Sequence, residues 1–503
     1  MLRLLELLGG LSVATDLGTG APLEESLKRC VVAVRLARTL GRPDDELRDI
    51  LYVALLQHLG CTAYSHEIAA VFGDDVSVIR AQFLTNPARP RELLTTFAPM
   101  VAEATGRSRA RTALTAIASA RSLDATAPRA TCDVARESAR RLGLPGSVAE
   151  GLSQMMTSWD GSGSPGVAGE QIPLPTRFLH VASVASIFCL LSGPDRAITE
   201  VRRRAGTYLD PSLADLVTHE LLADLPDLDG YDVVLALEPR PHLVTADLVG
   251  VARVFGDLVD LKSPWLQGHS AAVADLATAA GERLGLSDVP TLRIAGHLHD
   301  LGRIGVSSRI WDKAKPLTAA ERAQAELHPW HTEQVLSRVP ALADATRIAG
   351  QHHECLDGSG YYRAAVAAQL SMPARVLAAA DRYRCLVEDR PPAAGLPPEE
   401  ARATLTAEAR AGRLDADAVG AVLEAAGHPS VVRRSWPAGL TERQVDVLRL
   451  LARGRSNREI ARALVISPRT AEHHVQDIYA RIGCSTRAGA ALFAMEHGLL
   501  DRT

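Results

Sequence analysis

Five short segments between residues 268 and 381 carry the side chains best suited to chemistry. They are His269 within Gly-His-Ser, the pair His299–Asp300, His328 ahead of Pro329, the pair His352–His353 followed by Glu354, and Asp381 within the apolar run AAADRY. Neutral imidazoles combined with carboxylates form a ligand set for a borderline or hard divalent metal such as Mn, Fe or Zn. One tetrahedral ion cannot use so many groups, so the set points to two. Adjacent residues on a helix diverge by about 100°. One member of each pair can therefore address each of two neighbouring ions, or both can flank a shared bridge. Two ions about 3.5–4 Å apart make a hydroxide from bound water and clamp the oxygens of an in-line displacement at phosphorus. Arg303, one helical turn beyond His299, is placed to neutralise phosphate charge in that displacement. A lone histidine on a helix is usually a packed core or surface residue, but so many segments of the same ligand chemistry are not explained that way.

The elements that must position these groups are helical. Among 503 residues, 47% are apolar, 23% charged and only 4% aromatic, with abundant Ala and Leu. This composition fits a globular all-α chain, and the length suggests about three domains. A net charge of −4 gives no overall pull toward nucleic acid, so any DNA contact needs a local basic surface. The seven cysteines are scattered without a C-x-x-C pair, as expected of free thiols in a reducing cytoplasm. The N-terminus lacks the order of charged, apolar and small residues of a signal peptide. The apolar run Phe178–Leu191 is too short to span a bilayer and reads as a buried helix, so no membrane partner is expected. A connector is expected over Leu225–His242, with its VVLAL run as a short strand.

From Leu440 onward ten Arg face seven Asp or Glu, so the tail is basic although the chain is acidic. A Pro- and Arg-bearing stretch, 429–439, reads as a linker. Four short helices should follow. Thr441 with Gln444 and Ser456 with Glu459 form capping boxes, Ser467 precedes Pro468, and Ser485 can cap the last helix. Ala471, Val475, Ile478 and Ile482 make a buried stripe on the third helix. Arg469, Thr470, Glu472, His473 and Gln476 lie opposite, where they can reach base edges. Ser456, Asn457 and Arg458 open the second helix and can hold phosphate. A helical bundle serving only dimerisation would not place polar residues on that face. The order LTERQVDVLRLLARGRSNREIARALVISPRTAEHHVQDIYARIG resembles the LuxR-type helix-turn-helix, which implies DNA as a partner and a homodimer reading paired half-sites.

The central segments GHLHDLGRIGV, LHPWHTEQVL, HHECLDGSGYY and MPARVLAAADRY resemble the HD superfamily of metal-dependent phosphohydrolases, specifically its HD-GYP branch. The resemblance implies a bundle of five to seven helices with a binuclear site, and a cyclic di-GMP substrate opened to a linear product. Carried over by position, it makes His269, His299, Asp300, His328, His352, His353 and Asp381 the ligands of two divalent ions, Mn or Fe ahead of Zn. Asp300 and Arg303 are the catalytic candidates. Tyr362 stands in place of the family's proline, Arg303 in place of its lysine, and Trp265 in place of a glutamate that some members use for a third metal.

An internal repeat extends this reading to the first half. Residues 37–60 match 280–302, 159–184 match 356–381, and 204–217 match 410–423. In the first copy Gln57–His58 replace His299–Asp300, Met155–Met156 replace His352–His353, Ser183 replaces Asp381, and Glu25 stands opposite His269. Methionine and serine are poor ligands for hard metals, so no such catalysis is expected there. His58, Cys61, His66 and Glu67 match no metal-binding spacing and read as packing residues.

The expected architecture is two tandem HD-type helical bundles followed by a small four-helix LuxR-type domain. Residues 1–235 form the degenerate copy, 243–428 the metal-dependent phosphohydrolase, 429–439 the linker and 440–503 the DNA-binding domain. The expected function is a cytoplasmic transcriptional regulator in which hydrolysis of a cyclic dinucleotide alters DNA binding. Two alternatives share the motifs: a sensor that binds nucleotide without turnover, and a hydrolase of another phosphoester.

Overall fold

The computed structural model describes residues 3–163, 166–239, 247–391, 393–429, 437–497 and 499–500. Among them the regular elements are helices, and extended pairing is limited to isolated bridges. The chain divides into two units, Met1–His428 and Pro429–Thr503.

In the first unit one apolar core runs from Leu4 to Leu423. The helix Leu4–Thr19 has Leu4, Leu5, Leu7, Leu8, Leu11 and Val13 all buried, and only Glu6 and Leu17 reach solvent in part. It packs on the helix Glu25–Thr39 on one side. On the other it meets the turn Leu301–Gly305 and the helix His328–Leu336. The segments before 235 and after 247 are therefore built around a shared core.

Two nests of three helices flank this element. Glu25–Thr39, Asp44–Leu55 and Leu174–Ser192 pack together in the first; His269–Arg283, Val289–Leu298 and Met372–Val387 do so in the second. The helix Leu174–Ser192 is longer than the run Phe178–Leu191, because Pro175 can occupy a first turn that needs no N–H. By length and composition alone it could cross a membrane, but 72% of its most apolar 18-residue stretch is buried inside the protein. The connector differs from expectation. VVLAL belongs to a helix, Gly230–Leu237, whose start is capped by the Asp229 carboxylate accepting from the Tyr231 and Asp232 amides. A local cap and packing on Glu25–Thr39 outweigh the β-preference of two valines. Residues 240–242 of the connector lie outside the described residues.

Local caps set the helices that carry the metal-site candidates. Asp288 caps Val289–Leu298 by accepting from the Thr291 amide at 3.1 Å. Ser371 caps Met372–Val387 by accepting from Ala374. After Asp300 the chain tightens into the 3₁₀ turn Leu301–Gly305. Gly302 permits this docking, since a Cβ there would lie 2.0 Å from the His328 carbonyl oxygen.

Among its described residues the second unit holds four α-helices, Glu442–Ala452, Asn457–Leu464, Pro468–Ile482 and Arg487–Glu496, around Val445, Leu448, Leu451, Ile460 and Ile478. The capping boxes at Thr441 and Ser456 and the Ser467 cap form as the sequence predicts. The last helix is capped by Thr486 and not by Ser485: the Thr486 hydroxyl accepts from the Gly489 amide at 3.1 Å. Of the expected linker, 430–436 lie outside the described residues, and Pro437–Gly439 form a 3₁₀ turn.

Candidate metal centre and nucleic-acid interface

The seven ligand candidates come from five separate segments and meet in two adjoining groups. The ligand atoms of Asp300, His328, His352 and His353 lie within 4.8 Å of one another, as do those of His269, His299 and Asp381. Asp300 faces both groups. Its Oδ1 is 3.3 Å from His328 Nε2 and 3.5 Å from His352 Nε2; its Oδ2 is 3.3 Å from His299 Nε2 and 3.6 Å from His269 Nε2. Asp381 lies 3.3 Å from His269 Nε2 and 3.7 Å from both His299 and His353. Of the two options for adjacent pairs, His299–Asp300 gives one histidine to one group and one bridging carboxylate. His352 and His353 stay together.

Three imidazoles are oriented by the same device. His299, His328 and His352 each donate from Nδ1 to the carbonyl three residues earlier, Gly296, Ala325 and Ala349, at 2.6–2.8 Å. A carbonyl can only accept, so Nδ1 holds the proton and Nε2 turns a lone pair to the centre. His299 Nε2 and both Asp300 oxygens are buried without a hydrogen-bond partner. Buried polar atoms rarely stay unpaired. A cluster of inward lone pairs and carboxylates satisfies this rule when it surrounds cations, so the residues fit bound metal.

The electrostatics agree. Burial works to raise the Asp300 and Asp381 carboxyls, but Arg303 and the imidazoles hold Asp300 well below the usual range, and His269 and His299 do so for Asp381. Burial opposes a charge on His299, yet Asp300 and Asp381 push its pKa up to about 10, so a proton can stand in for a cation. Burial holds His328 down at about 4.

Arg303 is buried at the edge of this cluster, with Nε 2.8 Å from Asp300 Oδ2 and its guanidinium 4.7 Å from the Trp311 ring centroid. Tyr361 packs against His353 with ring centroids 4.7 Å apart. Tyr362, the departure from the family's proline, donates its hydroxyl to Glu333 and accepts from Arg363 Nε. Glu354, buried, fixes this loop by accepting from the Arg363 and Ala365 amides at 2.8 Å.

Three contributors were missed by sequence reasoning. Thr332 donates to the His299 carbonyl and accepts from the Gly302 amide, each at 2.9 Å. Glu388 accepts from His269 Nδ1 at 2.8 Å, and Arg390 reaches both, 3.0 Å from Glu388 and 3.1 Å from His269 Nδ1. A charged run, EDR, directly after the helix bearing Asp381 was the available signal.

A third cluster lies in the first half: Asp16, Glu25 and His58, all buried. It already contains a cation. Arg29 Nη1 is 2.7 Å from Glu25 Oε2 and 2.7 Å from His58 Nε2, while Arg29 Nε donates to the Ala54 carbonyl at 2.8 Å. Cys61 and His66 do not join it as ligands: His66 pairs with Asp312.

In the second unit Arg469, Thr470, Glu472, His473 and Gln476 are exposed along one side of Pro468–Ile482, opposite buried Ala471, Val475 and Ile478. Ile482 is only partly buried. Ser456 and Arg458 are exposed at the start of Asn457–Leu464, with Asn457 half-buried beside them. A polar helix face opposite an apolar stripe is the kind of surface that helix-turn-helix proteins offer to a major groove.

Residues 253–418 match the HD domain family, and residues 438–494 match the luxR family of bacterial regulatory proteins. The chain is similar to the 3'3'-cGAMP-specific phosphodiesterase 3 of Vibrio cholerae serotype O1, 29% identical over 412 residues covering 80% of this chain and 90% of that one. The alignment is far longer than the HD match, so the likeness includes the first half. A cyclic di-GMP phosphodiesterase of Thermotoga maritima is 32% identical over 158 residues, 31% of this chain and 43% of its own length. Among solved structures, a crystal structure of a cyclic GMP-AMP specific phosphodiesterase of V. cholerae (V-cGAP3) matches with a TM-score of 0.57 and 26% identity, covering 84% of this chain and 98% of that one. The chain thus holds a segment that matches HD domains and a C-terminal segment that matches the luxR family, and its relatives include phosphodiesterases of cyclic dinucleotides.

Proposed function

We propose that this protein is a two-metal phosphodiesterase of a cyclic dinucleotide, 3'3'-cGAMP or cyclic di-GMP, and that occupancy of this site governs DNA binding by the luxR-type domain. The observation that carries the reading is Asp300, a buried carboxylate with one oxygen toward each ligand group, neither in a hydrogen bond and Oδ2 ion-paired with Arg303. His269, His299 and Asp381 would hold one ion, His328, His352 and His353 the other, with Asp300 between them; Mn or Fe suits this oxygen- and imidazole-rich set better than Zn. When bound, such a pair supplies acidified water and positive charge for in-line displacement at phosphorus. The chain's own share is orientation and charge: Nδ1 bonds fix the imidazoles, and Arg303 offers its guanidinium to a phosphate oxygen.

The first half reads as a copy that has given up this chemistry. The Ser26 amide and hydroxyl both donate to Asp16, ten residues earlier, and the Ser270 amide and hydroxyl donate to Asp260 in the same way. Glu25 and His58 then neighbour each other as His269 and Asp300 do, with Arg29 supplying the positive charge. Seven unpaired cysteines suit a cytoplasmic setting, and paired half-sites call for a dimer.

Elemental analysis of the purified chain, followed by product analysis with each cyclic dinucleotide and Mn(II) or Fe(II), tests the proposal. The expected result is about two ions per chain and a linear dinucleotide product, both lost in Asp300→Ala. Nucleotide binding without product in wild type would replace the enzyme with a sensor. Light scattering checks the dimer.

A further inference from the structure

The segment from Arg303 to Asp312 carries the two residues that stand against the outer side of the ligand cluster, Arg303 and Trp311. Its own secondary structure is slight: the end of a 3₁₀ turn and the four-residue helix Ser308–Trp311. A segment with so few internal bonds takes its order from what surrounds it. Here the surroundings include the first half of the chain.

Asp75, at the start of the helix Asp75–Leu84, is fully buried and inserts its carboxylate beneath this segment. Oδ1 accepts from the Ser308 amide at 2.8 Å and the Ser307 hydroxyl at 3.0 Å; Oδ2 accepts from Lys262 Nζ at 2.6 Å and the Ser308 hydroxyl at 3.2 Å. An ionised carboxylate has about four acceptor sites; three are filled by these donors, and the Ser308 hydroxyl, with one proton, shares itself between the fourth and the Lys262 carbonyl 3.0 Å away. Burial works to raise this carboxyl, but the Lys262 ammonium beside it holds it below its ordinary value. The far end is held as well, by His66 Nδ1 at 2.6 Å from Asp312 Oδ2. At the near end Gly18 lies against Ile304, where a Cβ would come within 2.3 Å of Ile304 Cγ2. Between these fixed points the Trp311 ring lies under the Arg303 guanidinium and edge-on to His328, with centroids 5.5 Å apart.

We propose that Asp75 is a positioning residue for the phosphodiester site: the half that lacks its own ligands holds the 303–312 segment so that Trp311 fixes the plane of the Arg303 guanidinium beside the metal ligands. The proposal rests on the phosphodiesterase reading for its kinetic consequence only; the ordering of the segment stands apart from turnover.

The test uses the full chain loaded with Mn(II). Asp75→Leu combined with Lys262→Met removes both charges together, avoiding a buried orphan ammonium. Ser307→Ala with Ser308→Ala leaves the ion pair intact and removes only hydroxyl contacts, so it serves where the first variant fails to fold. Hydrogen exchange by mass spectrometry should show amides of 303–312 exchanging about tenfold faster in the first variant and about threefold faster in the second, with 343–353 and bound metal unchanged. With cyclic dinucleotide, kcat should fall about tenfold at nearly constant KM, and no further fall should appear when the variant is placed in an Arg303→Ala background. Unchanged exchange in 303–312 overturns the proposal, as does an equal loss of kcat with and without Arg303. A wild type that shows no turnover refutes the phosphodiesterase reading instead, and the exchange result then decides the positioning claim by itself.

Discussion

Replacing Arg29 by methionine tests whether the first half has exchanged a metal for a side chain. The substitution keeps apolar bulk but removes the charge held 2.7 Å from Glu25 and from His58, and strands the Ala54 carbonyl it bonds at 2.8 Å. Glu25 is about 1% exposed, so water cannot take over. At an effective dielectric near 20 the Coulomb attraction at this distance is about 6 kcal/mol. Desolvation of the guanidinium offsets part of it, and breaking a buried pair by removing one partner costs about 3–5 kcal/mol. We expect a loss of about 4 kcal/mol at pH 7.5 in urea unfolding followed by circular dichroism. The sign with pH is fixed. In wild type, burial pushes Glu25 up while Arg29 and His58 bring it below its ordinary value, so its contribution is present near neutrality. Without Arg29, burial is unopposed and the folded pKa rises above the unfolded one. The deficit should then shrink as pH is lowered toward 5, because the folded variant takes up a proton first. A loss below about 1 kcal/mol, or a deficit that does not change with pH, would show that Arg29 is ordinary packing.

Three other outcomes are expected. Glu388→Gln weakens the acceptor that orients His269 and should lower metal affinity about 10–100-fold by equilibrium dialysis, with the far-ultraviolet spectrum unchanged. His180 is buried against Tyr208, and burial holds its pKa at about 4, so the folded state resists a proton that the unfolded state takes near 6.5. Stability should therefore drop by up to about 3 kcal/mol between pH 6.5 and 4, and His180→Gln should flatten that slope in acid-denaturation curves. In the second unit Gln476→Ala should cost about 1–3 kcal/mol on one operator and relax its sequence preference, whereas Arg458→Ala should weaken all DNA alike and reduce the salt slope by about one. Fluorescence anisotropy over a salt series separates the two.

The candidate ligands were legible because their types are rare, paired and set in helix-like runs, and the fold gathers the seven in two adjoining groups. Their sharing was not: nothing in an adjacent His-Asp pair says which one bridges, and only the fold turns both Asp300 oxygens to opposite groups. Arg29 and Asp75 were invisible for a related reason. In one dimension an Arg or Asp in an amphipathic helix is read as a solvated side chain, and only tertiary packing buries it at 0% exposure. Glu388 was hidden in the same way, by lying seven residues beyond Asp381 and meeting His269 across the chain. Two errors were local. VVLAL was too short for periodicity to choose between strand and helix, and Asp229 decided it. Ser485 and Thr486 are equally good caps by type, and backbone direction chose the second.

The helix Leu4–Thr19 has a consequence for how this molecule can be cut and recombined. It is wedged between the early helices and the turn after Asp300, and all of its residues but Glu6 and Leu17 are buried. A gene fragment starting near residue 243 would keep all seven ligands yet lose the wall against which Ile304 and Val339 rest. The smallest unit to exchange intact is then residues 1–428, the first half included. The first half then acts as a keystone does: the span cannot stand open without it.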